Sequence, residues 1–281
     1  MKPSHQYQKT LFLFGVPLFI FAFVVLAHLN QIPQMDSFRA INSSSVEVLG
    51  TRIWPSLTLL GDTLVLLCLL SPLFLINGRI VLALIAAIPV GGLSSVVLKH
   101  IFSAPRPADV IDPQTFHVLG GLLSGKSFPS GHSITAFAAC GVVYACLIST
   151  RALQRTHWVV FSGTFFLAAL VAVSRIAVGA HWPADVVAGA CIGWLAGLSG
   201  AAMTQKFPKF FASTRTSWVS LGLLVAGAVS LLLREYSDPW SQVLNHLAGA
   251  SVLFTLVTKK VAQLQFKYEW ETSNTSHEIV A

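Results

Sequence analysis

The sequence has few charged residues, and this scarcity decides its broad class. Charged residues make up 10% of the 281 residues, whereas hydrophobic residues make up 54%. A soluble domain has about a quarter of its residues charged. The composition therefore excludes an ordinary soluble domain and predicts a polytopic membrane protein, to which the rules of the bilayer apply.

Cysteine is also scarce, and no C-x-x-C spacing is present among the four cysteines. Each lies inside an apolar run, which favours small core residues over a redox or metal site. Low-complexity segments and clear internal repeats are absent from the sequence too. The formal net charge is +7, but the basic residues sit in short loops and form no single stripe, so binding to nucleic acid is excluded.

Eight apolar runs are candidates for transmembrane helices, each of which needs about 20 apolar residues. The first three meet this length comfortably, and the seventh and eighth are short. The first run could be mistaken for a signal peptide, but it is long and lacks a small-x-small cleavage pattern, so we interpret it as a retained span. The runs are residues 11–29, 54–76, 80–98, 132–149, 158–175, 184–203, 218–233 and 243–258.

The charges of the loops predict the orientation. With the N-terminus in the cytoplasm, the outer side holds seven basic residues, and three of them belong to the candidate site described below. The inner side then holds eleven, in agreement with the positive-inside rule. These eleven are Lys2, Lys9, Arg79, Arg151, Arg155, Lys206, Lys209, Arg215, Lys259, Lys260 and Lys267. Short loops favour a bacterial inner (plasma) membrane, with the site on the periplasmic or outer face.

Three polar segments interrupt the apolar runs at one predicted membrane level. They are KHIFSAPRP at 99–107, PSGH at 129–132 and SRIAVGAHWPAD at 174–185. All three lie at the outer ends of the third to sixth predicted spans. Four helix ends that converge there can form one pocket.

Three cations in these segments indicate an anionic ligand. Lys99, Arg106 and Arg175 carry fixed positive charge, and unpaired cations near a membrane are costly. Guanidinium groups bind phosphate oxygens in bidentate fashion, and lysine adds a point charge. Asp109 and Asp112 are the rival partners for these cations.

Two predicted helix N-termini strengthen the case for phosphate. Ser130 and Gly131 precede the fourth span as an N-cap, while His181 and Pro183 begin the sixth. Each N-terminus offers free N–H donors and partial positive charge to an anion. Phosphate is the anion that fits such a site.

Two histidines supply the chemistry. His181 and Asp185 are four residues apart, which places them on one helix face within hydrogen-bonding reach. We expect the carboxylate to fix the imidazole tautomer and to raise the basicity of the other nitrogen, so that His181 can attack phosphorus. His132 can protonate the leaving oxygen, and the cations can stabilise the transition state. A zinc site formed by His132, His181 and Asp185 is the less favoured alternative, because nearby cations repel a metal.

At these residues the sequence resembles the type 2 phosphatidic acid phosphatase superfamily, in its membrane lipid phosphatase branch. Six residues separate Lys99 from Arg106-Pro107, and PSGH is complete. Five residues separate Ser174-Arg175 from His181, and three separate His181 from Asp185. The resemblance covers roughly residues 50–203. It implies an all-α, polytopic transmembrane bundle with a six-helix core. It further implies metal-independent hydrolysis, without a cofactor, through a phosphohistidine.

In that resemblance His181 is the nucleophile, Asp185 supports it and His132 is the general acid. The implied phosphate-binding residues are Lys99, Arg106, Ser130, Gly131, His132 and Arg175. The implied substrates are phosphatidic acid, phosphatidylglycerol phosphate, undecaprenyl diphosphate, lipid A phosphates and sphingoid phosphates, with membrane lipids as the surroundings.

The chain departs from the family by carrying additional residues after residue 203. The number of spans, six or eight, therefore stays open. We predict an N-terminal span and outer loop at 1–49, the motif core at 50–203, an added helix pair at 204–258 and a disordered cytoplasmic polar tail at 259–281. We expect the outer loops 30–53 and 99–131 to set the fit of the lipid headgroup.

Other functions share parts of this site. A lipid phosphotransferase with an undecaprenyl diphosphate donor would use the same motifs. A lipid transporter or headgroup binder would need only the cations, and a haloperoxidase is expected to be soluble. Asp62 is the only acidic residue well inside an apolar run, and it is either a polar contact between helices or a functional carboxylate. The lipid and the oligomeric state stay open.

Overall fold

The structure is a computed structural model, and it describes residues 11–29, 33–148, 154–236 and 238–278. Lys2, Lys9 and Arg151, which contributed to the predicted orientation, lie outside these ranges. All regular elements within them are helical. The helices are α1 (Val16–Leu29), α2 (Met35–Leu59), α3 (Thr63–Leu69), α4 (Leu73–Phe102), α5 (Pro107–Val110), α6 (Gly131–Ile148), α7 (Arg155–Ala177), α8 (Pro183–Lys206), α9 (Pro208–Phe211), α10 (Thr214–Leu232) and α11 (Pro239–Glu278). A π-helical turn, Leu11–Gly15, leads into α1, and a 3₁₀ turn, Pro113–Thr115, follows α5.

The helices that can cross a membrane are fewer than the eight predicted. Among the described residues, 4 helices are long and apolar enough, namely α4 with the short α5, then α7, α8 and α10. The pair α2 and α3 raises the number to 5 if it counts as one span. Shorter apolar helices lie at Leu13–Leu29 and Gly131–Leu147. The eighth predicted span, 243–258, lies within α11, which is in neither group.

The predicted single span at 54–76 is wrong, because the chain bends within it. Helix α2 ends at Leu59 and α3 begins at Thr63, with 79° between the two helices. The carboxylate of Asp62 accepts hydrogen bonds from the backbone N–H groups of Leu64 at 2.9 Å and Val65 at 3.2 Å. This N-cap starts a new helix in a new direction.

The predicted outer loop at 30–53 is also different, because most of it belongs to helix α2. The amide Nδ2 of Asn42 donates to the backbone oxygens of His117, Ile176 and Ala177, each at 3.0 Å. Its Oδ1 accepts from the N–H of His117 at 2.8 Å. These contacts join α2 to the end of α7 and to the loop after α5, so α2 covers the region where the polar motifs meet.

Helices α6 and α8 form the centre of the bundle, and a stripe of glycines lets them approach closely. Gly189, Gly193 and Gly197 are spaced four residues apart on α8. An added Cβ on them would collide with the carbonyl oxygens of Ser130, Ile134 and Ala138, in that order. Small residues at this spacing allow transmembrane helices to pack backbone against backbone.

Gly193→Ala is expected to lower the free energy of unfolding by about 1–3 kcal/mol, because the methyl group meets the backbone of Ile134. Gly222→Ala is the matched control, since a Cβ at that position of α10 meets no atom within 4 Å. Denaturant titration of both purified variants in detergent measures the difference. Equal stability of the two variants would contradict the close packing.

The helix pair α10 and α11 packs on the core through α3. Arg234, which follows α10, forms an ion pair with Asp62, with Nη1 3.0 Å from Oδ2. The hydroxyls of Ser71 and Thr255 are 3.1 Å apart. Helix α11 continues to Glu278, so the backbone of 259–278 is helical where a disordered tail was predicted, and 279–281 lie outside the described residues.

Candidate active site

The three motifs meet where α4, α6, α7 and α8 begin or end. The N–H of Ser130, just before α6, donates to the backbone oxygen of Asp185 in the first turn of α8 at 3.0 Å. Lys99 lies in the last turn of α4 and Arg175 in the last turn of α7. The structure thus brings together all eight predicted site residues, which are Lys99, Arg106, Ser130, Gly131, His132, Arg175, His181 and Asp185.

The carboxylate of Asp185 holds the imidazole of His181 in place. His181 Nδ1 lies 3.3 Å from Asp185 Oδ2, and both side chains are buried. The same oxygen accepts from the N–H of Trp182 at 2.9 Å and from the hydroxyl of Ser127. A carboxylate at Nδ1 selects the tautomer with hydrogen on Nδ1, which leaves a free lone pair on Nε2.

The free nitrogen of His181 faces Arg106. Arg106 Nη1 lies 3.4 Å from His181 Nε2 and donates to the backbone oxygen of Ala180 at 2.8 Å. A guanidinium beside the Nε2 lone pair is placed to bind the oxygens of a phosphoryl group that approaches this nitrogen.

The three cations have no carboxylate partner. The ion pairs among the described residues are His181–Asp185 and Arg234–Asp62. Lys99 Nζ donates to the backbone oxygen of Lys126 at 2.9 Å, and Arg175 Nη1 donates to the hydroxyl of Thr58.

Two guanidinium groups also have unused donors. The Nε atoms of Arg106 and Arg175 are buried without a hydrogen-bond acceptor. Buried donors without a partner are costly, and the oxygens of an anion are acceptors that guanidinium donors can use. The cluster is therefore suited to bind an anion.

The rival partners Asp109 and Asp112 accept hydrogen bonds from backbone N–H groups. Asp109 Oδ2 accepts from the N–H groups of Arg106 at 3.1 Å and Gly125 at 2.9 Å, which folds the loop after α5. Asp112 accepts from the N–H of Gln114 at 3.0 Å. Neither carboxylate forms an ion pair with the cations.

The two predicted helix N-termini differ in what they can bind. Helix α6 begins at Gly131, and the N–H groups of Gly131 and His132 have no acceptor among the described residues, whereas that of Ser133 lies 3.5 Å from the hydroxyl of Ser130. At α8 fewer donors are free than expected, because protein groups already occupy two of them. The N–H of Trp182 donates to Asp185, and that of Ala184 donates to Gln34 Oε1 at 2.9 Å.

The basicity of His181 also differs from the expectation. Burial, followed by the positive charges of Arg175, Arg106 and Lys99, holds the pKa of His181 well below its ordinary value. We expected Asp185 to raise the basicity, but desolvation and three cations outweigh one carboxylate. The imidazole is therefore neutral at physiological pH, as a nucleophile must be.

Arg106→Gln is expected to move the acid limb of the pH–kcat/KM profile for phosphate release to higher pH. The Arg106 charge lowers the pKa of His181, so its removal raises that pKa and the nucleophile becomes protonated at a higher pH. Ionisation of the substrate affects all variants alike and cancels in the comparison. Arg39→Gln, which removes an exposed cation of α2, is the control, and an unmoved limb in Arg106→Gln would contradict the coupling.

His132 lies next to an apolar cavity of about 370 Å³. Residues of α3, α4 and α6 line it, and His132 and Gly131 belong to its wall. His132 makes no hydrogen bond to the protein among the described residues. Its side chain packs against Gly61, where an added Cβ would lie 2.7 Å from His132 Cβ. One side of His132 thus faces the charged cluster and the other faces apolar space.

Sequence reasoning missed two hydroxyl residues of the site. Ser127 bonds to Asp185 and lies 3.3 Å from His181 Nδ1, and Thr58 accepts from Arg175. The position of Ser127, just before the PSGH motif, could have indicated that it belongs to the site. Thr58 is 117 residues from Arg175, and no sequence pattern links the two.

The structure assigns Asp62 a role in packing, since it caps α3 and pairs with Arg234. The alternative zinc site is not supported, because no three His, Cys, Asp or Glu side chains of the described residues are arranged to hold a metal ion.

Comparison with known proteins gives consistent matches. The PAP2 superfamily profile matches residues 80–211. Undecaprenyl-diphosphatase of Sulfolobus acidocaldarius is 32% identical over 125 residues, 44% of this chain and 53% of that protein. Lipid A 1-phosphatase of Porphyromonas gingivalis is 36% identical over 77 residues, 27% of this chain and 16% of that protein. The chain thus spans about half the length of the first curated relative and less of the second.

Two solved structures share the fold. The crystal structure of Aquifex aeolicus LpxE matches with a TM-score of 0.50 and 30% identity, over 60% of this chain and 94% of that one. A PAP2-type phosphatidylglycerolphosphate phosphatase of Bacillus subtilis matches with a TM-score of 0.53 over 69% of this chain and 98% of that one. At 23% identity, this match supports a shared fold and nothing further.

Proposed function

The chain belongs to the PAP2 superfamily and is an integral membrane protein, and on this premise we propose that it removes phosphate from a lipid phosphate or diphosphate through a phosphohistidine on His181. One observation carries the proposal. Nε2 of a neutral, carboxylate-held imidazole faces cations that have no carboxylate partner. A nucleophile surrounded by cations suits an anionic electrophile such as a phosphoryl group.

In the first step, Nε2 of His181 attacks phosphorus, and the bond from phosphorus to the lipid oxygen breaks. The bound phosphate anion offsets the neighbouring cations and so favours the protonated form of His132. His132 gives this proton to the lipid oxygen, so the lipid leaves as an alcohol or as a lipid monophosphate. Asp185 stabilises the positive charge on the imidazole through Nδ1–H. Lys99, Arg106 and Arg175, with the N–H of Gly131 and the hydroxyl of Ser130, stabilise charge on the equatorial oxygens.

In the second step, water attacks the phosphorus of the phosphohistidine. His132, now neutral, takes a proton from this water, and the bond between phosphorus and Nε2 breaks. Inorganic phosphate leaves, and His181 returns to its neutral tautomer. Both steps use the same cations, and neither requires a metal.

The apolar cavity beside His132 supports a lipid as the leaving group. Because His132 protonates the leaving oxygen, the hydrocarbon next to that oxygen must lie on its side of the site. Leu66, Leu84 and Ile88 line this space, which has the size range of a ligand pocket. A hydrocarbon chain gains free energy there by leaving water.

The relatives suggest candidate substrates, namely undecaprenyl diphosphate, lipid A 1-phosphate and phosphatidylglycerol phosphate, with phosphatidic acid from the family resemblance. Loop charges favour an active site on the periplasmic or outer face of a bacterial inner membrane. The test is release of inorganic phosphate by the purified full chain in detergent across this panel. We expect release from at least one lipid, undiminished by EDTA and blocked by vanadate. Loss with EDTA and recovery with zinc would overturn the metal-free mechanism, and no release from any lipid would overturn the function.

A phosphotransferase uses the same phosphohistidine and differs in the acceptor. Labelled undecaprenyl diphosphate offered together with acceptor lipids separates the two reactions. Label in free phosphate supports hydrolysis, whereas label on a second lipid supports transfer.

A further inference from the structure

A second cavity lies at the end of the bundle opposite to His181. Arg79 precedes Lys99 by 20 residues on α4, and Thr204 follows Asp185 by 19 residues on α8. At a helical rise of 1.5 Å per residue, both separations are about 30 Å. This is about the thickness of the hydrocarbon core, so the second cavity lies at the other membrane surface.

The cavity has a volume of about 510 Å³ and lies between the core and the added C-terminal helices. Helices α4 and α8 supply Arg79, Thr204 and Gln205 to its wall, and the C-terminal helices supply Ser217 and Lys259. Its wall therefore combines two cations with three polar side chains.

Both cations are held in place without a carboxylate. Arg79 Nε donates to the hydroxyl of Thr204 at 3.4 Å, and Thr204 Oγ1 in turn donates to the backbone oxygen of Ala201 at 2.8 Å. Lys259 Nζ lies 5.1 Å from the ring centre of Trp218 and 5.9 Å from that of Phe74. Neither cation takes part in an ion pair among the described residues.

The acidic residues whose side chains the structure describes lie away from this cavity. The eight that fall between residues 11 and 260 all belong to segments at the catalytic end of the bundle: Asp36, Glu47, Asp62, Asp109, Asp112, Asp185, Glu235 and Asp238. None of these eight carboxylates neutralises the two cations of the cavity, which leaves them available to an anionic ligand. At this depth the abundant anions are the phosphates of membrane lipids.

We propose that this cavity binds the phosphodiester headgroup of an anionic phospholipid, with Arg79 and Lys259 on the phosphate. The polar side chains of Gln205 and Ser217 face the rest of the headgroup, and the apolar ring of Phe74 borders it. A lipid bound there joins the phosphatase core to the C-terminal helices. The site is independent of catalysis at His181.

Native mass spectrometry of the full chain in detergent tests the proposal, with phosphatidylglycerol and phosphatidylcholine as paired probes. The pocket variant is Arg79→Gln with Lys259→Gln. The control is Lys209→Gln with Arg215→Gln, which removes the same charge from the same membrane side but from residues outside the cavity wall. The pocket variant is expected to bind phosphatidylglycerol about thirtyfold more weakly, which corresponds to about 1 kcal/mol for each cation.

The control variant is expected to bind like the wild type, and phosphatidylcholine is expected to bind poorly to all three proteins. If the pocket variant and the control variant lose equal affinity for phosphatidylglycerol, the effect comes from general surface charge. Equal binding of the two lipids would show apolar filling only, and displacement by inorganic phosphate would show a site for free phosphate. Each of these results overturns the proposal. If the double variant does not fold, Lys259→Gln alone is expected to weaken binding about fivefold, and unchanged binding would overturn it as well.

Discussion

Replacement of His181 by alanine is expected to lower phosphate release by about five to six orders of magnitude while the protein stays folded. The substitution removes Nε2, the atom that bonds to phosphorus, and no other described histidine lies beside Arg106 and Asp185 together. Release of inorganic phosphate from the best lipid of the panel, measured over hours with the purified variant, gives the residual rate.

Two further measurements make this result specific to the nucleophile. His246→Ala is the control, because this histidine lies on α11 and bonds to Gln242 at 3.1 Å, away from the site. Brief mixing with a lipid labelled on its phosphate is expected to leave acid-labile label on the wild type and none on His181→Ala. Label on the alanine variant, or retained turnover, would assign the nucleophile to another group.

Replacement of His132 by alanine is expected to slow hydrolysis by an amount that depends on the leaving group. Phosphate release from an alkyl or lipid monophosphate is expected to fall by about a thousandfold, since an alkoxide leaves poorly without a proton. A nitrophenyl phosphate is expected to lose much less, because nitrophenolate leaves without protonation. Steady-state kcat/KM for the two substrates measures the difference.

Arg106→Gln is the comparison for this experiment. The cation acts on the transferred phosphoryl group, which is common to both substrates, so its removal is expected to lower both rates by a similar factor. If His132→Ala also lowers both rates equally, His132 is not the group that protonates the leaving oxygen.

The residues that could be predicted are those whose geometry depends on short spacing. His181 and Asp185 are joined by one turn at the start of α8, and the six residues between Lys99 and Arg106 keep both cations at one end of α4. The PSGH segment similarly places Ser130 and His132 at a helix start. Local helix geometry and the predicted membrane depth were enough to predict that these side chains lie at the same level of the membrane.

The features that were missed depend on contacts between distant parts of the chain. Residues 35–53 are polar enough to suggest a loop, and α2 is held by Asn42 through carbonyl oxygens up to 135 residues away. The N-terminus of α8 is closed by Gln34, 150 residues earlier. Hydropathy also favours one span at 54–76, because an average over the run does not detect the cap at Asp62. Such contacts carry no local pattern in a single sequence.

The ion pair of Asp62 and Arg234 limits how far this protein can be shortened. Asp62 lines the cavity beside His132, and its counter-ion comes from beyond residue 211, where the match to the family profile ends. A chain cut before α10 keeps every motif residue but removes the counter-ion of Asp62, whose carboxylate then stands unpaired in the wall of the cavity that we assign to the lipid chain. In a shortened version of this protein, asparagine at position 62 would preserve the helix cap and remove the unpaired charge.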